Sequence, residues 1–395
     1  MPLGIYISVP FCRTKCSYCN FASDVFSPRV FDSYVDRLCA DVENARRTVG
    51  EMGGKVEREI DSIYLGGGTP TVLEPSQFER VFASVRSHFD VDTQAEITAE
   101  CAPGTLTDSL IATLFKCGVN RISLGVQSFV DQEAAAVGRR HTRTVILQDI
   151  ARLRTAGITN INIDLIAGLP HQSTESWDFS VKETIATGAP HVSVYMLEVD
   201  EDSRLGRELL AGGVRYHAHF VPDENATADF YLRACEQLES ARIGQYEISN
   251  FARKGFESRH NLKYWKRQPY LGFGVDAHSM LHSAVPDLDA VRFASPDSLE
   301  QYLTGGRPKQ TLVSLRSAWE EEFFLGLRLN RGINLSEITV KLGDEATQNA
   351  RATIADFAES GLLEQQGDWV RLTSRGRLLS NDVFERFLLA ETVSR

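Results

Sequence analysis

No run of 18 apolar residues occurs anywhere in the 395-residue chain. A membrane-spanning helix needs about 20, so no transmembrane segment is expected. The opening Met-Pro-Leu-Gly-Ile-Tyr also lacks the basic stretch and apolar run of a secretory signal, and a cytoplasmic protein is expected. Positive charge is in deficit, with 42 Lys and Arg against 53 Asp and Glu and a formal net charge of -11. Nucleic-acid affinity rests on neutralising phosphates, so no nucleic-acid partner is expected. Cysteine is sparse at seven, and Cys39, Cys101, Cys117 and Cys235 are scattered. Those four read as small buried hydrophobes in a reducing compartment. None of these numbers speaks to oligomeric state.

The other three thiols are concentrated. Cys12, Cys16 and Cys19 form C-x3-C-x2-C in one loop directly after an apolar strand. Thiolates hold iron–sulfur clusters, and a loop this tight can supply three corners of a 4Fe-4S cube while leaving the fourth iron without a protein ligand. A zinc knuckle is the alternative, but it closes four Cys or His ligands, usually as two pairs. No second pair exists here: Cys39 sits in a helical pattern and His88 lies far downstream. The odd number of crowded thiols disfavours a disulfide.

With 43% hydrophobic residues the chain can bury a substantial core, and its length suggests one large domain and one smaller one. Residues 4–9 alternate as a strand; Phe31, Tyr34, Val35, Leu38 and Val42 then mark one helical face, and 49–54 reads as a loop. The unit repeats. Strands are expected at 61–65, 95–99, 121–126, 160–166 and 191–197, with helices between them, among others near 143–155 and 174–186. Six strands alternating with helices imply βαβ units and a parallel sheet, although periodicity does not choose between an open sheet and a barrel. Beyond residue 198 a helix is expected over 225–241, a strand over 245–249 and an irregular segment over 251–280. A breaker-rich stretch at 294–308 suggests a boundary, giving a domain over 1–295 and a small one over 296–395. Helices near 317–330, 335–342, 347–359 and 374–389 make the latter mainly α and winged-helix-like. Its acidic Glu320-Glu321-Glu322 favours packing against the first domain over DNA binding.

The three cysteines at this spacing, following a strand that reads Tyr6-Ile-Ser-Val-Pro-Phe-Cys12, resemble the radical S-adenosylmethionine (SAM) superfamily, and the flanking residues resemble the oxygen-independent coproporphyrinogen III oxidase-like family. The resemblance implies a partial (β/α)6 barrel and a 4Fe-4S cluster on Cys12, Cys16 and Cys19. In the superfamily SAM chelates the open iron and is cleaved to a 5′-deoxyadenosyl radical. Barrel active sites gather at the C-terminal strand ends, and polar residues recur there: Gly67 after strand two, Glu100 ending strand three, Gln127 ending strand four, Asp164 within strand five and Glu198 after strand six. By resemblance, Gly67, Gly68 and Thr69 meet the methionine end of SAM. Glu100, Gln127, Arg139 and Asp164 match further SAM-contacting positions, and Tyr6 and Tyr18 match flanking aromatics. Asp164 could instead be a buried structural carboxyl; burying it needs a partner, and Arg139 is the candidate. Ala102, Ser8 and Val275-Asp276 depart from the family pattern, where Asn, His and Pro-Gly are usual.

Two branches of that family are separable. The oxidase carries a further cysteine where this chain has Phe21, and an N-terminal extension ahead of the strand at Tyr6. The heme-chaperone branch carries a His-Asn-x-x-Tyr-Trp motif, present here as His260-Asn-Leu-Lys-Tyr264-Trp265. The resemblance therefore implies a heme chaperone that binds heme and passes it to acceptor hemoproteins, with the oxidase as the alternative and a HemN-type small domain at the end. Histidine is a common heme ligand, and Tyr264 and Trp265 offer flat apolar area. Arg253, Lys254, Arg259, Lys263, Lys266 and Arg267 could pair with propionates, or form an ordinary solvated basic face.

Overall fold

The computed structural model describes residues 1–388. Its first half is the expected alternation: strands β1 (Leu3–Val9), β2 (Glu59–Gly67), β3 (Asp90–Cys101), β4 (Arg121–Gln127), β5 (Asn160–Ala167) and β6 (His191–Met196) are interleaved with helices α1 (Phe31–Glu51), α2 (Pro75–His88), α3 (Asp108–Lys116), α4 (Asp131–Ala136), α5 (Arg143–Thr155) and α6 (Thr174–Ala186). The six strands pair in sequence order, each parallel to the next. In β1, Leu3, Ile5, Ile7 and Val9 are fully buried, while Tyr6 and Ser8 occupy the alternate positions that face inward. The outward set meets Tyr34, Val35, Leu38 and Val42 of α1 in one large core. Helix α1 continues through the expected loop at 49–54 as far as Glu51, because Val49 still has core to bury against.

β6 does not return to β1, so the barrel is partial, as expected. Past α7 (Arg204–Leu210) and α8 (Glu224–Ser240) come β7 (Gly244–Gln245) and β8 (Asn250–Ala252), which cover the free edge of β6. The strand expected over 245–249 is thus a turn between two short strands. The segment read as irregular is ordered: α9 (Arg259–Trp265), β9 (Tyr270–Gly274) and β10 (His278–His282). β9 lies parallel to β1, and β10, β11 (Leu288–Ala294) and, after α10 (Leu299–Leu303), β12 (Lys309–Ser314) extend the sheet to 12 strands. The last strand of this sheet therefore lies beyond residue 296.

The remainder is helix, strand, two helices and two strands, the order of a winged helix: α11 (Leu315–Gly326), β13 (Ile333–Asn334), α12 (Leu335–Leu342), α13 (Asp344–Glu359), β14 (Leu363–Gln366) and β15 (Trp369–Leu372). The helix expected over 374–389 is two short helices, α14 (Ser374–Leu378) and α15 (Ser380–Glu385), and its last residue lies outside the described residues. This unit has its own core around Phe323, Leu327, Val370 and Val383, and Ile248 from the β7–β8 turn is inserted into it. The Ile248 amide donates to the Arg328 carbonyl at 3.2 Å and the Asn330 amide to the Tyr246 carbonyl at 3.0 Å. Among the described residues no helix is long and apolar enough to cross a membrane.

Candidate functional site

The cysteine loop is folded by its backbone. The Cys12 amide donates to the Asp24 carbonyl and the Asp24 amide to the Pro10 carbonyl, both at 2.9 Å, closing the loop at its neck. Lys15 donates to the carbonyls of Phe21 and Ser23 from within. The amides of Gly68 and Thr69 donate to the carbonyls of Val9 and Phe11 at 2.8 and 2.7 Å. This close approach explains the glycines. A Cβ on Gly68 would stand 2.7 Å from the Phe11 oxygen and 3.0 Å from Cys12 Sγ, and one on Gly66 would stand 3.0 Å from the Glu100 carboxyl. Gly67 adds a φ of 100°, which a side chain would resist. The glycine amides thus serve the loop, and the Gly67 amide serves Glu100.

Most of the residues expected at the mouth converge there. Glu100 accepts from the Tyr64 hydroxyl at 2.9 Å; burial, and then the charge of Asp164, push its carboxyl up to about 7. Asp164 is also pushed up by burial. It accepts from Ser123 Oγ at 3.0 Å and from Asn162 Nδ2 at 2.7 Å. Arg139, the partner expected for Asp164, donates to the Tyr18 hydroxyl at 2.8 Å and acts on Asp164 through its charge, which favours the ionised carboxyl, rather than through a direct hydrogen bond. Tyr18 packs with Val137, Ile166, Leu169 and Leu197 beneath the cysteine loop.

Among the described residues, the polar atoms buried without a hydrogen-bond partner include Arg139 Nε and Gln127 Oε1. Gln127 also holds a left-handed φ of 68°, a conformation costing a non-glycine residue about 1–2 kcal/mol. Buried polar groups are normally satisfied, so a donor and an acceptor held unpaired at one strand end suit a polar ligand. Three thiols free of disulfides supply the donor set of a cluster with one open iron. Among the described residues no three His, Cys, Asp or Glu side chains are arranged to hold a metal ion. The fit to a cluster therefore rests on the chemistry of the donor set, three free thiols in one loop, and the unpaired atoms of Gln127 and Arg139 fit a polar ligand such as SAM.

The His-Asn-x-x-Tyr-Trp motif lies elsewhere, on α9, across the N-terminal ends of β1–β3. The carboxylate of Glu96 accepts from the backbone amides of Arg259 and His260 at 3.2 and 3.1 Å. His260 is 1% exposed. Its Nδ1 lies 3.0 Å from Ser62 Oγ and its Nε2 2.9 Å from the Tyr264 hydroxyl, and burial lowers its pKa to about 3. In this conformation neither ring nitrogen is available to an iron. Trp265 is stacked under Arg328, 4.3 Å from guanidinium carbon to ring centroid. Of the six cations expected to meet propionates, Lys263 pairs with Asp61, and Arg267 is buried against Asp289, Glu321 and Glu322. Tyr6 and Tyr64 stack between this floor and the mouth, with Tyr64 5.4 Å from the His260 ring.

The family description "Radical SAM superfamily" matches residues 6–183, and "HemN C-terminal domain" matches 313–379. The heme chaperone HemW of Lactococcus lactis is 32% identical over 98% of both chains, and that of Bacillus subtilis 32% identical over 97% of this chain and 98% of its own. The chain belongs to the HemW family. Its fold is also that of the solved coproporphyrinogen III oxidase HemN from Escherichia coli, a radical SAM enzyme, with a TM-score of 0.82 at 23% identity, covering 98% of this chain and 90% of that one.

Sequence reasoning missed Tyr64, Ser123 and Asn162. They lie within strands, where a polar residue facing inward carries no local signal. It also missed a surface cluster beside the mouth. His171 Nε2 and His217 Nδ1 are 3.0 Å apart, and the Phe220 ring lies 4.1 Å from His171 and 4.0 Å from His219. His171, Tyr216 and His217 have φ values of 71°, 54° and 59°, again about 1–2 kcal/mol each. A neutral hydrogen bond returns only about 0.5–1.5 kcal/mol.

Proposed function

We propose that this chain is a cytoplasmic heme chaperone: it binds heme and delivers it to acceptor hemoproteins, on a radical SAM scaffold. What carries the reading is the full-length likeness to the HemW chaperones together with three free thiols in one loop and the unpaired buried atoms of Gln127 and Arg139. Cys12, Cys16 and Cys19 are the ligands of a 4Fe-4S cluster, and SAM occupies the mouth beside it. When bound, these groups supply one-electron chemistry. Gln127 Oε1 and Arg139 Nε give the ligand an acceptor and a donor, while Asp164, held by Ser123 and Asn162, contributes negative charge. Glu100, with a pKa close to neutral, accepts hydrogen bonds in either protonation state. Tyr6 and Tyr18 border the pocket, and Gly67, Gly68 and Thr69 keep its wall thin. His260, Tyr264 and Trp265, expected as heme contacts, are packed into the barrel floor in this conformation, and heme is not assigned to them.

The test is an anaerobic titration of the cluster-reconstituted protein with hemin, followed by mixing with an apo-hemoprotein. Stoichiometric binding and transfer are expected. Consumption of coproporphyrinogen III without heme binding would overturn the reading in favour of the oxidase.

A further inference from the structure

We propose that heme is held on the 214–220 segment, with His217 Nε2 as axial ligand and His171 hydrogen-bonded behind it. The inference rests on the heme-chaperone reading and adds the place of the heme. His260, the histidine the sequence singles out, has both ring nitrogens engaged in a sealed floor. His217 is exposed, and its contact with His171 uses Nδ1, leaving Nε2 on the other side of the ring.

That arrangement has a chemical logic. A metal-ligating histidine characteristically donates its second N–H to an acceptor, which fixes the tautomer and the ring orientation. With the proton of His217 on Nδ1 and that of His171 also on its own Nδ1, His171 Nε2 is that acceptor. Burial and the neighbouring His217 and His219 lower the pKa of His171, which keeps it neutral. The strained backbone at Tyr216, His217 and His171 holds the two rings together at a conformational cost that one surface hydrogen bond does not offset.

The surroundings suit a porphyrin. Leu210, Val214 and Phe220, along one stretch of chain, are exposed at 66%, 67% and 47%, apolar area of the kind that marks binding sites when it is contiguous. Arg215 of the segment and Arg207 of the preceding α7 are exposed and can meet propionates. The segment is also anchored to the cysteine loop. The Leu205 amide donates to the Ser17 carbonyl at 2.8 Å, and Arg204 donates to the Cys16 carbonyl while lying over the Tyr216 ring. Heme here would rest against the loop that carries the cluster ligands.

The experiment titrates the reconstituted full-length protein with hemin and follows the Soret band and the electron paramagnetic resonance of the ferric iron, for wild type, His217→Leu, His171→Ala and His260→Gln. Leu preserves apolar bulk at an exposed position, so His217→Leu reads the ligand alone. Its circular dichroism should match wild type. We expect His217→Leu to raise Kd at least tenfold and abolish the imidazole-ligated spectrum. His171→Ala should keep ligation with a several-fold weaker Kd, and His260→Gln should retain the wild-type spectrum. An unchanged titration for His217→Leu, or loss of ligation only in folded His260→Gln, overturns the inference and leaves the chaperone reading standing. Absence of binding in the wild type overturns both.

Discussion

Replacing His260 by Ala should cost this protein about 3–6 kcal/mol of stability before any heme is added. The ring is 1% exposed, and each of its nitrogens meets a hydroxyl, Ser62 on one side and Tyr264 on the other. Removing it strands two buried hydroxyls, at about 1–3 kcal/mol each, and leaves a cavity that adds to the loss. Against the 5–15 kcal/mol typical of a folded domain, about 3–6 kcal/mol is a large fraction. Gln should lose roughly half as much, since its amide can replace one of the two contacts. The assay is urea unfolding of the heme-free chain, followed by circular dichroism. Proton linkage gives a second arm. Burial lowers the folded pKa of His260 to about 3 from 6.5, so below about pH 6.5 the unfolded chain takes up a proton that the folded ring refuses. Stability is then lost as pH falls from 6.5 towards 3, by about 1 kcal/mol per unit, and His260→Gln should flatten that slope. A loss below about 1 kcal/mol in His260→Ala, with the acid slope unchanged, would refute the packing described for the barrel floor.

Gly68→Ala should abolish cluster assembly, read as loss of the broad visible absorption and of bound iron, because the new methyl is driven against the Phe11 carbonyl and Cys12 Sγ. Glu100 is a raised acid, so the stability it contributes is complete below its unfolded pKa of about 4.5 and is lost as pH rises through about 7. Glu100→Gln should therefore be more stable than wild type at pH 8 and equal to it near pH 4, measured by denaturant midpoints. Asp164→Ala should weaken SAM binding at least tenfold by isothermal calorimetry; unchanged affinity with a lowered melting temperature would make Asp164 a structural carboxyl.

How much of this was legible depends on where each structural cause resides. The alternation of strand and helix up to β6 is written in local periodicity, and α5 and α6 appear at the expected residues because a helix carries its own pattern. β9 to β12 were not legible. Tyr270–Gly274 is five residues with two glycines, and it is a strand because β1 offers it an edge. The cysteine loop announced itself by spacing alone. The role of α9 did not: His260 and Tyr264 read equally well as a ligand set or as packing until the positions of Ser62 and Glu96, far away in sequence, were known. The His171–His217 pair was invisible for the same reason, being two surface histidines 46 residues apart.

The turn between β7 and β8 sets a limit on how this chain can be divided. Glu247 is fully buried beside Asn250, and its nearest cation is Arg328 of the C-terminal unit, at 3.8 Å. The adjoining Ile248 belongs to that unit's core. Cutting the chain after β12 would leave a carboxylate in the barrel without its counter-ion, a loss of about 3–5 kcal/mol for a buried pair, and would expose an isoleucine beside it. The winged-helix unit is in this sense a piece of the barrel's interior that happens to be encoded last, and a barrel expressed alone would inherit the defect of a missing core residue rather than the freedom of a separate domain.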